Sequence, residues 1–194
     1  MRAAQTNPDA RVMLIERDAA MLDLARQNIG RNGLDARVIL HAGDAFALGK
    51  AAALREAFDC VLSNPPFFSA ATIRASGNDQ RAGAHVLEGS LADWVKNAVT
   101  ILAPRGELVL IHRADALPEL MEACGRRLGA VHLRFVHPEA EAPAIRVLVS
   151  ARKGSRAPLV VLPPLVLHGP EGRFTDTAAR LHAGQMRLPM RPSG

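Results

Sequence analysis

Short β-type runs alternate with helical stripes along most of this 194-residue chain, and that alternation restricts it to a sheet covered by helices. Val12 to Glu16 reads as a buried strand. Met21, Leu22, Leu24, Ala25 and Ile29 then recur at helical spacing behind Asp18 as N-cap, with Gly30 and Gly33 as C-cap and turn residues. Val38 to Leu40 and Phe58 to Ser63 are the next strands, the latter stopped by Asn64-Pro65-Pro66, where two prolines remove ladder donors. Leu91, Val95, Ala98, Val99 and Leu102 form a helical stripe that begins at a Ser90/Asp93 capping box and stops before Pro104. Glu107 to His112 is a strand, and Leu117, Leu120, Met121, Cys124 and Leu128 line a helix ended by Gly129. Val131 to Val136 and Ile145 to Ala151 have no helical pattern between them, which predicts an antiparallel hairpin beside the parallel strands. From Arg152 onward Pro158, Pro163, Pro164 and Pro170 exclude a regular central strand, leaving an extended appendage with a short helix capped by Thr175.

Composition narrows the class further. With 48% hydrophobic and 22% charged residues the chain suits one ordinary globular domain. No apolar run approaches the roughly 20 residues of a membrane-spanning helix, and the first residues lack a secretory apolar stretch. The expectation is a cytoplasmic protein. Cys60 and Cys124 lie far apart in apolar segments and read as small core residues, not as a disulfide or a zinc site; no metal is expected. The net charge of +5 is confined to residues 101–194, which hold 13 Lys+Arg against 8 Asp+Glu. Such a bias favours a polyanion such as RNA, because each neutralised phosphate releases condensed counterions.

The sharpest local signal is Asn64-Pro65-Pro66-Phe67-Phe68 directly after an apolar strand. Open α/β sheets bind ligands at the C-terminal ends of their parallel strands. There an Asn side-chain oxygen and a Pro carbonyl can both accept from one NH2 group. The prolines lock the backbone that aims them, and the aromatics offer a stacking face. Two carboxylates occupy equivalent strand-tip positions. Glu16 is placed to accept from a ribose diol, and Asp44, beside Ala45, from an exocyclic amine of the same ligand. His85 lies in the following loop over the presumed substrate mouth, and Arg74, Arg81, Arg152, Lys153 and Arg156 are candidates for phosphate contacts.

The series VMLIERD, HAGDAF, FDCVLSNPPFF and LAPRGELVLIH resembles the class I S-adenosylmethionine-dependent methyltransferases. In particular, it is similar to the bacterial adenine-N6 methyltransferases that modify valine tRNA beside the anticodon. The likeness extends to the C-terminal segment His168 to Gly184. It implies an α/β, Rossmann-like fold with a mostly parallel sheet and an antiparallel C-terminal hairpin. The methyltransferase domain would span residues 1–152, with 153–194 as an extension of it. It further implies S-adenosylmethionine as cofactor, held through Glu16, Asp44, Ala45 and Asn64. Asn64, Pro65, Pro66 and Phe67 would be catalytic, and Phe67, Phe68 and His85 would bind the substrate. RNA, in particular tRNA, would be the partner.

One departure is plain. The glycine-rich turn and the strand that would open such a domain are missing: the first glycine is Gly30, and Met1 to Thr6 reads like the tail of the helix that follows that turn. The resemblance thus implies a form shortened at its N-terminus, with a central strand absent between those ending at Glu16 and Ser63. Three other readings fit the same residues: methylation of a glutamine amide in a protein, methylation of guanine N2 in ribosomal RNA, and an RNA-binding remnant without cofactor.

Overall fold

The structure, a computed structural model, describes residues 2–66 and 89–191. The chain divides into two compact units, Met1–Ala51 and Ala52–Gly194.

The first unit holds helix α1 (Arg2–Thr6), strand β1 (Val12–Glu16), helix α2 (Ala19–Arg31) and strand β2 (Val38–Ala42). β1 and β2 pair in parallel, Val12 opposite Val38 and Glu16 opposite Ala42. Ala4, Ile29, Leu34 and Val38 form the core, with Val12, Leu14 and Leu40 packed against it. Polar bonds fix the helix ends. Arg37 donates through Nη1 to the carbonyls of Ala4 (2.7 Å) and Asn7 (3.1 Å), satisfying acceptors that a helix C-terminus leaves open. Asp18 caps α2 through Met21 N, as expected. The C-cap differs from expectation: Gly30 stays helical, Asn32 is the cap, and Gly33 turns the chain at φ +62°.

The second unit is built on a six-stranded sheet. Its elements are β3 (Phe58–Ser63), α3 (Leu91–Ile101), β4 (Leu102–Arg113), α4 (Leu117–Cys124), β5 (Leu128–His137), β6 (Arg146–Lys153), β7 (Val160–Val161), β8 (Leu165–Val166) and α5 (Asp176–His182). The order is β3-β4-β6-β5-β7, with β8 also on β5. β3 and β4 are parallel, β6 is antiparallel to both β4 and β5, and β7 and β8 run parallel to β5. The parallel strands and the antiparallel hairpin both stand as the sequence predicts. β3 pairs only with β4 and β1 only with β2 among the described residues.

Apolar residues of α3, α4 and the inward positions of β4, β5 and β6 form one core, including Leu91, Val95, Leu108, Leu110, Leu120, Val147 and Val149. The α3 capping box forms as expected, Ser90 Oγ accepting from Asp93 N and the Asp93 carboxylate from Ser90 N. Boundaries move where packing outweighs local pattern. β4 begins at Leu102, because Phe58 opposes Leu102 while Cys60 opposes Glu107, so Ala103 to Gly106 bulge out of the ladder. A Cβ at Gly106 would stand 2.9 Å from the Ala103 carbonyl oxygen, so only glycine fits. α4 ends at Cys124 with Gly125 at φ +50°, and Leu128, read as helical from its spacing, opens β5 instead.

The segment after Lys153 is not a central strand. It returns along β5 as the two-residue strands β7 and β8, then lies on the sheet through three side chains. Arg134 is buried and donates to the Pro163 carbonyl and, at 2.7 Å, to that of Pro189. Arg191 pairs with Glu107 at 2.7 Å, and Ser150 Oγ reaches the Met190 carbonyl at 3.4 Å. The helix expected behind Thr175 is α5.

Candidate functional site

Both strand-tip carboxylates stand in the first unit, and the β1–β2 pairing makes them neighbours. Glu16 ends β1 opposite Ala42, and Gly43 N donates to the Glu16 carbonyl at 3.0 Å, so Asp44 follows immediately on the adjacent strand tip. Each is oriented by backbone. Glu16 Oε1 accepts from Arg17 N (2.8 Å) and Asp18 N (2.9 Å), and Asp44 Oδ1 accepts from Phe46 N at 2.9 Å. Both side chains are half-buried, and among the described residues neither Glu16 Oε2 nor Asp44 Oδ2 has a protein donor. Two backbone-held carboxylates on neighbouring strand tips are acceptors that could hold a ligand with a vicinal diol and an exocyclic amine, the polar groups of S-adenosylmethionine's nucleoside. Ala45, also half-buried, supplies apolar surface beside them.

Asn64, Pro65 and Pro66 stand in the second unit, at the C-terminal end of β3. Ser63 pairs with Leu110 on parallel β4 and accepts from the Trp94 indole Nε1 at 2.7 Å, which ties the strand end to α3. Pro65 is fully buried and Pro66 half-buried, so the backbone around them is held. Asn64 itself is exposed, and its amide has no hydrogen bond among the described residues. The turn therefore presents one uncommitted amide beside a proline carbonyl on a rigid support. Phe67, Phe68 and His85 lie outside the described residues, as do Arg74 and Arg81.

Two expectations need correction. Cys60 is exposed on β3, which pairs on one side only among the described residues; Cys124 is the core cysteine, and burial pushes its thiol up to about 11. Lys153 is committed within the fold, donating to the Leu102 carbonyl at 2.6 Å and to Glu56 at 3.0 Å. Arg156 is exposed, and Arg152 lines a cavity of about 130 Å³ with Glu107, His132 and Arg191. Spacing did not reveal the stacking of His168, Phe174 and His182, whose outer pair are 14 residues apart.

A family model for the methyltransferase domain matches residues 1–136. A tRNA1(Val) (adenine(37)-N6)-methyltransferase of Porphyromonas gingivalis is 28% identical over 184 residues, 92% of this chain and 71% of that protein. The ribosomal protein uL3 glutamine methyltransferase of Bradyrhizobium diazoefficiens is 37% identical over 81 residues, 41% of this chain and 24% of its own. Among solved structures, a protein of Agrobacterium tumefaciens described as a predicted O-methyltransferase superposes with a TM-score of 0.77. It is 29% identical, and the match covers 95% of this chain and 83% of that one. No helix of the described residues is long and apolar enough to cross a membrane. With a family match over most of its length and this likeness to a solved methyltransferase structure, the chain belongs to the S-adenosylmethionine-dependent methyltransferases.

Proposed function

We propose that this protein methylates the exocyclic N6 amine of an adenine in tRNA. The observation that carries the reading is the Asn64-Pro65-Pro66 turn: a buried proline fixes the backbone, while the exposed Asn64 amide has no hydrogen bond among the described residues. The printed activity of the Porphyromonas relative and the basic balance of residues 101–194 support it.

S-adenosylmethionine supplies a methyl group on a sulfonium, ready for direct transfer to a nucleophile. Glu16 would hold its ribose diol and Asp44 would accept from its adenine amine, with Ala45 as the apolar neighbour. The difficulty lies with the acceptor, because the amine lone pair of adenine is delocalised into the ring. Asn64 Oδ1 and the Pro65 carbonyl accept from the two N–H groups, orient the nitrogen and favour a more pyramidal geometry. The same acceptors would stabilise the positive charge that develops on nitrogen as the N–C bond forms and the sulfonium S–C bond breaks; the neutral thioether of S-adenosylhomocysteine is the leaving group, and the surplus proton on nitrogen is lost to solvent. The base must leave its stack to reach them, and Phe67, Phe68 and His85 are the residues proposed to receive it.

A glutamine side-chain amide is also a planar NH2 group, and the similarity to the uL3 glutamine methyltransferase favours it as a second reading. Incubation with radiolabelled S-adenosylmethionine and separate tRNA, ribosomal RNA and protein fractions separates the readings. Label that is sensitive to ribonuclease and recovered as N6-methyladenosine from tRNA is the expected result. Protease-sensitive label, or methylguanosine from ribosomal RNA, would replace the adenine reading.

A further inference from the structure

A column of three aromatic rings stands on the surface of the second unit, away from the Asn64 turn in sequence. The hairpin that builds it is tightly bonded. Thr175 N donates to the Leu167 carbonyl (2.8 Å) and Gly169 N to that of Arg173 (2.9 Å), which makes His168 and Phe174 a cross-strand pair. Gly172 closes the turn at φ +70°. Thr175 then caps α5, and that helix carries His182 back over the same ring. The His168 and Phe174 centroids are 5.0 Å apart with planes 16° from parallel, and those of Phe174 and His182 are 5.7 Å apart at 26°. Both pairs fall in the range of attractive offset stacking.

The two ends of the column differ. His168 is half-buried, and its Nδ1 lies 3.1 Å from the Pro138 carbonyl oxygen, so that end is anchored. His182 is exposed at the last residue of α5, and Phe174 retains 50% of its surface in solvent. A large apolar ring held half-open between two imidazoles contributes little to a core, whereas a flat polar-edged ring laid on His182 would lengthen the stack. The surroundings select an anionic carrier for that ring. Arg180 shares the last turn of α5 and has no ion pair among the described residues, while Arg173, next to Phe174, is paired with Glu171 at 3.7 Å.

We propose that the His182 end of this column binds an unpaired nucleobase of RNA by stacking, with Arg180 meeting the adjoining phosphate. Stacking on an aromatic side chain is tolerant of base identity, so the site grips single-stranded or looped RNA and ignores duplex. The inference rests on the reading of RNA as substrate and extends it to a second contact, distinct from the base that is methylated.

The test uses the purified chain and a 12-nucleotide single-stranded RNA bearing 5-iodouridine. Irradiation followed by peptide mapping is expected to place a crosslink at His182 or Phe174. His182→Ala and Phe174→Leu should each weaken binding of that strand by about tenfold, the scale of one lost base stack, and leave duplex binding unaltered. Binding unaltered in both variants, with native thermal melting, overturns the proposal, as does wild-type protein that binds no single-stranded RNA or binds only peptide. Methylation of tRNA is measured in parallel. Variant-sensitive RNA binding without N6-methyladenosine refutes the substrate reading alone, and methylation with variant-insensitive binding refutes the stacking site alone.

Discussion

Trp94 donates its indole N–H to Ser63 Oγ at 2.7 Å, joining helix α3 to the strand end one residue before Asn64. The bond spans 31 residues of sequence and holds the last strand position of β3 against helix α3. Trp94→Phe keeps the apolar body and removes the donor. It is expected to cost about 1 kcal/mol in denaturant unfolding and to lower kcat more than it raises KM, because a displaced Asn64 still admits the cofactor. A loss confined to KM would show that the bond only shapes the substrate entrance.

Asn64→Ala removes an acceptor needed chiefly as charge develops on the target nitrogen. Turnover is expected to fall by about 10²-fold or more, the scale of losing one preorganised partner of a transition state, while calorimetric affinity for S-adenosylmethionine changes little. An equal loss of both would assign the residue to cofactor binding.

Glu16 and Asp44 are the residues proposed to hold the cofactor. Each has one oxygen held by backbone N–H groups and the other available. Glu16→Ala and Asp44→Ala are expected to weaken S-adenosylmethionine binding by about 10- to 100-fold, equivalent to a charge-assisted hydrogen bond of roughly 1.5 to 3 kcal/mol. Titration calorimetry of the wild-type chain and both variants measures this directly, and the unfolding curve of Glu16→Ala should move little because the backbone donors it releases are exposed, whereas Asp44→Ala releases the part-buried Phe46 N and should cost somewhat more.

Arg134 is the residue on which the C-terminal segment depends. Its guanidinium is buried and serves the carbonyls of Pro163 and Pro189, and desolvation holds its pKa below the usual arginine value. Arg134→Met would strand two acceptors, at a cost of about 2 to 4 kcal/mol. Limited proteolysis is expected to cut first among residues 186–191, and Arg134→Lys should restore part of the protection by keeping one donor.

The two cysteines should separate cleanly. Burial pushes the Cys124 thiol up to about 11, so at pH 8 it has almost no thiolate and no access. Cys60 is exposed, though partial desolvation, then the Glu107 and Asp59 carboxylates, also raise its thiol. A disulfide reagent at pH 8 should therefore titrate Cys60 slowly in native protein and reach Cys124 only after denaturation. Raising the pH towards 9 should accelerate the first reaction alone.

Much of this protein is legible from local pattern because the forces concerned act between near neighbours in sequence. Helix stripes repeat within a few residues, caps such as Asp18, Ser90 and Thr175 bond two or three positions ahead, and prolines stop a strand where they stand. The strand ends at Glu16, Asp44 and Asn64, where a site is proposed, were located by the same means, since the end of a parallel strand is marked by where the apolar run stops. Contacts between distant residues decided the rest. Cys60 has the neighbours of a core residue in sequence, yet it is exposed on β3, which pairs only with β4 among the described residues. Lys153 resembles a phosphate contact until Leu102 and Glu56 fold onto it. Arg134 reaches a carbonyl 55 positions away, and His168, Phe174 and His182 become one column only when a hairpin and a helix close on each other. Periodicity records which side of an element a residue faces. What meets it on that side is set by chain segments whose separation in sequence carries no such signal, and only the packed tertiary structure brings them together.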